Sequence, residues 1–99
     1  FKYVEKSKLK LAAYLISDEA EAAYKAGDIT GAVALREKVA QQLGCDKELA
    51  SKNQYLAGYI YQYKLNDPDK AKVAYSKVLT IHPKSDYTIK AQQKLAGLK

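Results

Sequence analysis

The chain has 99 residues, enough for one small domain with a real core and too few for a Rossmann domain, a barrel or a two-domain enzyme. Of its apolar residues 15 are alanine and 9 tyrosine, with no methionine or tryptophan, a mixture suited to helices packed at close range; no apolar run approaches the roughly 20 residues of a membrane span. Lysine and arginine outnumber acids 17 to 11, giving +6, but the lysines are interspersed with Asp and Glu and Arg36 is the sole arginine, so a solvated lysine surface outweighs a nucleic-acid face.

In chain order, Ser7 is the first residue able to cap a helix, and the helix it opens ends at Ala26-Gly27-Asp28, where a terminating glycine is followed directly by an N-cap. The spacing predicts a second helix over 29–43, stopped by Gly44, with Ala32, Leu35, Val39 and Leu43 on its apolar face. Cys45, the only cysteine, can form neither an internal disulfide nor a multi-cysteine zinc site. Asp46 caps a third helix over about 47–65, with Leu49, Leu56 and Ile60 as its core stripe. Asp67-Pro68 then places a cap before a proline at the first helical position, where the missing N–H costs nothing. That fourth helix runs to about His82, before Pro83, with Ala71, Ala74, Tyr75, Val78, Leu79 and His82 on one face. Ser85 caps a fifth. Strand alternation appears nowhere, so the predicted fold class is all-α with about five helices.

The same features recur at 39 residues. Tyr24 falls on Tyr63, Asp28 on Asp67, Ala32 on Ala71, Lys38-Val39 on Lys77-Val78, and Leu56-Ala57-Gly58 returns as Leu95-Ala96-Gly97. The units are 7–45, 46–84 and the partial 85–99, two and a half helix-turn-helix repeats within a single domain over 1–99. A hairpin of two short amphipathic helices cannot bury its apolar stripe alone, so neighbouring hairpins are expected to stack. The opening Phe1-Lys2 fits a processed product or an excerpt of a longer protein.

Gly27-Asp28 followed by Ala32, Gly58 with Tyr61, and Asp67-Pro68-Asp69-Lys70-Ala71 followed by Ala74-Tyr75, Lys77-Val78-Leu79 and Pro83-Lys84-Ser85 resemble tetratricopeptide repeats. The form is similar to that of bacterial cell-envelope proteins such as Tol–Pal-associated and outer-membrane assembly lipoproteins. The resemblance covers roughly residues 8–99 and is strongest in the second unit. The first unit departs from the pattern: Arg36 stands where the second helix usually carries an aromatic, Gly44 replaces the proline, and no aromatic lies near Ser17. The second turn is one residue longer than in the standard repeat. The 39-residue period approaches that of HEAT-type arrays, but the turn-and-alanine signature favours the tetratricopeptide form. The resemblance implies a right-handed superhelix whose first helices line a concave groove holding a protein segment, and a place in the bacterial envelope or periplasm.

On the third helix, Lys52, Tyr55, Tyr59, Gln62 and Tyr63 adjoin the core stripe, and Tyr55, Tyr59 and Tyr63 are spaced to form a ladder of rings. Tyrosine offers apolar area with a polar tip at small entropic cost, which suits peptide recognition. The competing reading is packing against the next hairpin. Lys90 and Lys94 could draw an acidic segment or simply solubilise the last helix, and Tyr14 and Tyr24 are lesser candidates on the first. Ser17 and Glu21 occupy the places where a dicarboxylate clamp needs Lys and Asn, which disfavours a chaperone C-terminus as ligand.

Catalytic chemistry is sparse. His82 is the only histidine and precedes a proline at a helix end; Asp18, Glu19 and Glu21 cannot all face one ion from one helix; Gly27 and Gly31 lack the ending of a phosphate loop. The expectation is a non-catalytic scaffold without cofactor or metal. A structural spacer or self-association unit is the alternative, and a basic adaptor for a polyanion the third reading.

Overall fold

The computed structural model describes residues 2–42 and 46–98, with side chains in the first helix described from Leu11 onward. Among the described residues it is all-helical: α1 (Lys2–Lys25), α2 (Ile29–Gln41), α3 (Lys47–Tyr63), α4 (Pro68–Ile81) and α5 (Asp86–Gly97).

The caps are where the sequence puts them, with one exception. Asp28 accepts from the Gly31 N–H at 3.0 Å, Asp46 from Leu49 at 2.8 Å, Asp67 from Lys70 at 3.1 Å and Ser85 from Tyr87 at 3.1 Å. Each such bond stabilises its helix by about 1 kcal/mol. Gly27, at φ 89°, makes the left-handed step that lets the Asp28 N–H return to the Ala23 carbonyl at 2.9 Å. In the longer turn after α3 that conformation falls to Asn66, φ 51°, a residue that tolerates it. The exception is Ser7. It lies inside α1, which runs through it unbroken from Lys2, so the expected helix start at residue 7 is corrected. A serine caps only where the backbone leaves the helix, and 2–25 holds neither proline nor glycine to make it leave. The expected end of α2 at Leu43-Gly44, and Cys45, lie outside the described residues.

Principal contacts join helices adjacent in sequence, and α3 also touches α5. The molecule measures 47 × 32 × 17 Å, its thin dimension being about that of two packed helix layers. Alanines occupy the crossings: Ala13, Ala20, Ala32, Ala57, Ala71 and Ala91 are fully buried. One apolar cluster joins α2 and α3 through Ala32, Val33, Ala57 and Ile60; another joins α4 and α5 through Ala71, Tyr75, Val78 and Ala91. A third sets Ala13 of α1 with Val39 and Leu49.

On α4 the expected face holds, with Ala71, Ala74, Tyr75 and Val78 buried and Leu79 and His82 half-buried. On α2, Val33 and Arg36 are buried as well as Ala32 and Val39, while Leu35 is half-buried. On α3 the three-residue stripe is too narrow. Leu49 and Ile60 are buried, but so are Ala50, Ser51, Asn53, Gln54, Ala57 and Gly58, whereas Leu56 is only half-buried. Packed by α2 and α4 together, α3 buries two faces. The second is made of small and polar side chains that a search for large apolar residues passes over.

Candidate functional site

The tyrosines of α3 divide into two groups. Tyr59 and Tyr63 form one pair, ring centroids 4.6 Å apart, and remain 39% and 48% exposed. Tyr55 turns away to pack on Tyr75 of α4 at 5.6 Å and Tyr87 of α5 at 5.8 Å. Burial pushes the Tyr55 phenol above its ordinary range, despite the opposing charge of Lys94. The continuous ladder is therefore corrected to a pair plus a core ring. Gln62 is likewise committed inward, accepting from the Tyr75 hydroxyl at 2.8 Å. Tyr75 is itself fully buried, and desolvation raises its pKa strongly.

The two lysines of α5 are placed on these rings. Lys94 Nζ sits 5.7 Å from the Tyr59 centroid and 4.7 Å from that of Tyr63, and donates to the Tyr63 hydroxyl at 2.7 Å. That hydrogen bond is the main reason its pKa is raised. Lys90 Nζ lies 5.3 Å over the Tyr87 ring. On the other flank Lys64 Nζ is 5.9 Å over Tyr24. Such cation–ring contacts at exposed sites are worth about 0.5–1 kcal/mol each, enough to orient the ammonium groups without locking them.

Two depressions open beside this face. The first, about 220 Å³, is lined by Glu21, Tyr24, Arg36, Leu56, Tyr59 and Ile60, and so lies where α1, α2 and α3 meet. The second, about 250 Å³, is lined by Tyr14, Asp46, Glu48, Leu49, Lys52 and Tyr87. Of the residues the sequence singled out, Tyr24 and Tyr59 line the first and Tyr14 and Lys52 the second. Tyr63, Lys90 and Lys94 line neither, though Lys94 rests on the Tyr59 wall of the first, and Tyr55 and Gln62 belong to the packing between α3 and α4.

Beneath the first depression lies a polar cluster that the sequence reading did not assemble. The Arg36 side chain, 7% exposed, pairs with Glu21 at 2.7 Å and donates to Asn53 Oδ1 at 2.8 Å. Ser17 lies within 3.4 Å of Asn53 Oδ1 and 3.5 Å of Arg36, and Asn53 donates to the Leu49 carbonyl at 2.9 Å. Ser17 and Glu21, where the sequence reading looked for a dicarboxylate clamp, are thus engaged with Arg36. Arg36, Asn53 and Leu56 are the site residues that were missed. The available signal was the coincidence of Arg36, by the 39-residue shift, with a tyrosine.

His82 caps α4, with Nε2 3.2 Å from Glu48, and its carbonyl accepts from the Thr88 hydroxyl and from the Ser85 N–H. Asp18, Glu19 and Glu21 are exposed, and among the described residues no group of three His, Cys, Asp or Glu is placed to hold a metal ion. No described helix is long and apolar enough to cross a membrane. No protein-family model, curated protein or solved structure matches the chain.

Proposed function

We propose that the chain is a non-catalytic interaction module of tetratricopeptide type, which holds a segment of another protein on the face formed by α1, α3 and α5. The observation that carries this reading is the exposed Tyr59–Tyr63 pair, held by Lys94 beside a depression walled by Tyr24, Leu56 and Ile60. Aromatic groups with polar tips, fixed at a half-exposed edge of an apolar hollow, are what protein-binding faces concentrate. The repeat architecture draws support from the helix order, from contacts between sequential helices, and from Gly58. There an added Cβ would lie 2.6 Å from the Tyr75 ring, so the glycine is a notch for the aromatic of the paired helix. Membership of a bacterial envelope protein is part of the same proposal and rests on the sequence resemblance. A polyanion adaptor is disfavoured because the sole arginine is buried and paired.

The test is a displayed-peptide selection on the intact chain, repeated on Tyr59→Ala. Selected peptides should lose at least about tenfold in affinity on the variant while its far-UV circular dichroism and urea midpoint stay put. Unchanged affinity would remove this face from the reading.

Self-association is favoured by a separate observation. Leu11 and Leu15 on α1 are 59% and 53% exposed, and Val73 of α4 and Ile89 of α5 are 57% and 53% exposed. Sedimentation at several concentrations separates the readings: a stable dimer that Leu11→Glu with Leu15→Glu dissociates would make the chain a spacer or assembly unit.

A further inference from the structure

The first depression has a size, a lining and a rim charge that together select among partners. At about 220 Å³ it falls below the roughly 300–1,000 Å³ of pockets that enclose whole small molecules, and it suits one large side chain of a docked segment. Four of its walls, Tyr24, Leu56, Tyr59 and Ile60, are apolar or aromatic.

Its floor is electrostatically closed. Arg36 Nη2 holds Glu21 at 2.7 Å and Nη1 donates to Asn53, while Nε is buried, and a ligand carboxylate taking Glu21's place would have to break a charge-assisted bond to a buried guanidinium. A carboxylate is therefore disfavoured on this floor, although Glu21 is 52% exposed, and the four apolar or aromatic walls favour an apolar group. The rim is different. Lys64 lies over the Tyr24 wall and Lys94 over the Tyr59 wall, and the bonding partner of Lys94 is the Tyr63 hydroxyl, which does not cancel its charge. Two ammonium groups over two of its walls, on a chain of net charge +6, attract carboxylates and repel basic segments.

We propose that this depression is the anchor pocket for a single large aliphatic side chain of an acidic partner segment, whose flanking carboxylates meet Lys64 and Lys94. The proposal rests on the docking reading above and narrows its partner. Apolar burial supplies the affinity, and the rim lysines supply the rate of encounter and the discrimination against basic chains.

The experiment is fluorescence anisotropy with the intact chain and labelled pentapeptides of sequence Glu-Glu-Leu-Glu-Glu, Glu-Glu-Ala-Glu-Glu and Lys-Lys-Leu-Lys-Lys, with a single-stranded oligothymidine in parallel. The leucine-centred acidic peptide should bind about tenfold or more tightly than the alanine-centred one, with no saturable binding of the basic peptide. Leu56→Trp, which fills the depression, should erase the preference for leucine over alanine. Lys64→Glu with Lys94→Glu, which substitutes none of the lining residues, should weaken the acidic peptides about tenfold and serves where Leu56→Trp fails to fold. Equal binding of the leucine and alanine peptides, absence of binding by both, or displacement of the peptide by the oligonucleotide would overturn the proposal. The two readings fail separately. If acidic peptides do not bind but some other selected segment binds in a Tyr59-dependent way, the anchor pocket falls and the docking face stands. If no segment of any charge binds with Tyr59 dependence, both fall.

Discussion

Arg36 and Tyr75 stand 39 residues apart at one position of the repeat, and the structure solves that position in two ways. Each is a long side chain on the second helix of a hairpin, buried between that hairpin's first helix and the helix that follows. Arg36 reaches Ser17 and Glu21 on α1 and Asn53 on α3; Tyr75 reaches Gly58, Tyr55 and Gln62 on α3 and clusters with Ala91 on α5. The position needs length more than it needs an aromatic. A guanidinium suffices only if both neighbouring helices offer oxygen acceptors, and even then Arg36 Nε is left without a hydrogen-bond partner. A tyrosine needs a missing Cβ instead. Gly58 lies five residues before the end of α3, and the residue five before the end of α1 is Ala20, which is fully buried.

The sharpest way to break this comparison is to empty both positions. Tyr75→Ala is expected to destabilise the fold by about 3–5 kcal/mol, as large aromatic truncations in cores do. Arg36→Ala should cost less, about 2–3 kcal/mol, because Asn53 loses its donor but Glu21, already 52% exposed, returns to water. Urea unfolding of both variants gives the order, and an inverted order would mean that the polar junction is the stronger. Gly58→Ala comes next. The overpacking of a Cβ 2.6 Å from the Tyr75 ring, less the gain in helix propensity, leaves a net loss of about 1–2 kcal/mol, where an ordinary helical glycine would show a gain.

A further effect is in alkali. Burial, with the hydrogen bond to Glu37 second, pushes the Tyr61 phenol up to about 12 from an ordinary value of 10.0, and burial raises Tyr55 and Tyr75 as well. A phenol whose folded pKa exceeds its unfolded one contributes stability that is fully present below the unfolded value and is lost as pH rises through the folded one. Urea midpoints should therefore hold up to about pH 10 and fall between there and about pH 12, with these phenols ionising late by absorbance. Tyr61→Phe should shallow that fall; an unchanged profile would remove Tyr61 as a cause.

The helices and turns were legible because the residues that set them act locally: Asp28, Asp46, Asp67 and Ser85 each bind an N–H two or three residues away. Ser7 misled because a capping residue carries no information where nothing interrupts the helix before it. The tyrosine ladder was read from spacing alone, yet four residues at about 3.6 per turn overshoot one turn by about 40°. Over eight residues the rings wind round the helix, which is why Tyr63 faces Lys94 while Tyr55 faces Tyr75. The polar floor of the depression was illegible for another reason. Ser17, Arg36 and Asn53 come from three helices, and each alone looks like surface until packing brings them together.

That the helices lean chiefly on their sequence neighbours has a kinetic consequence. Most contacts close a short stretch of chain, so modest entropy is surrendered before they form, and collapse can proceed helix by neighbouring helix. A protein built this way belongs with those that fold in microseconds to milliseconds, and α5, the shortest of the described helices and packed chiefly on α4 and α3, is the one whose amides should exchange first among them.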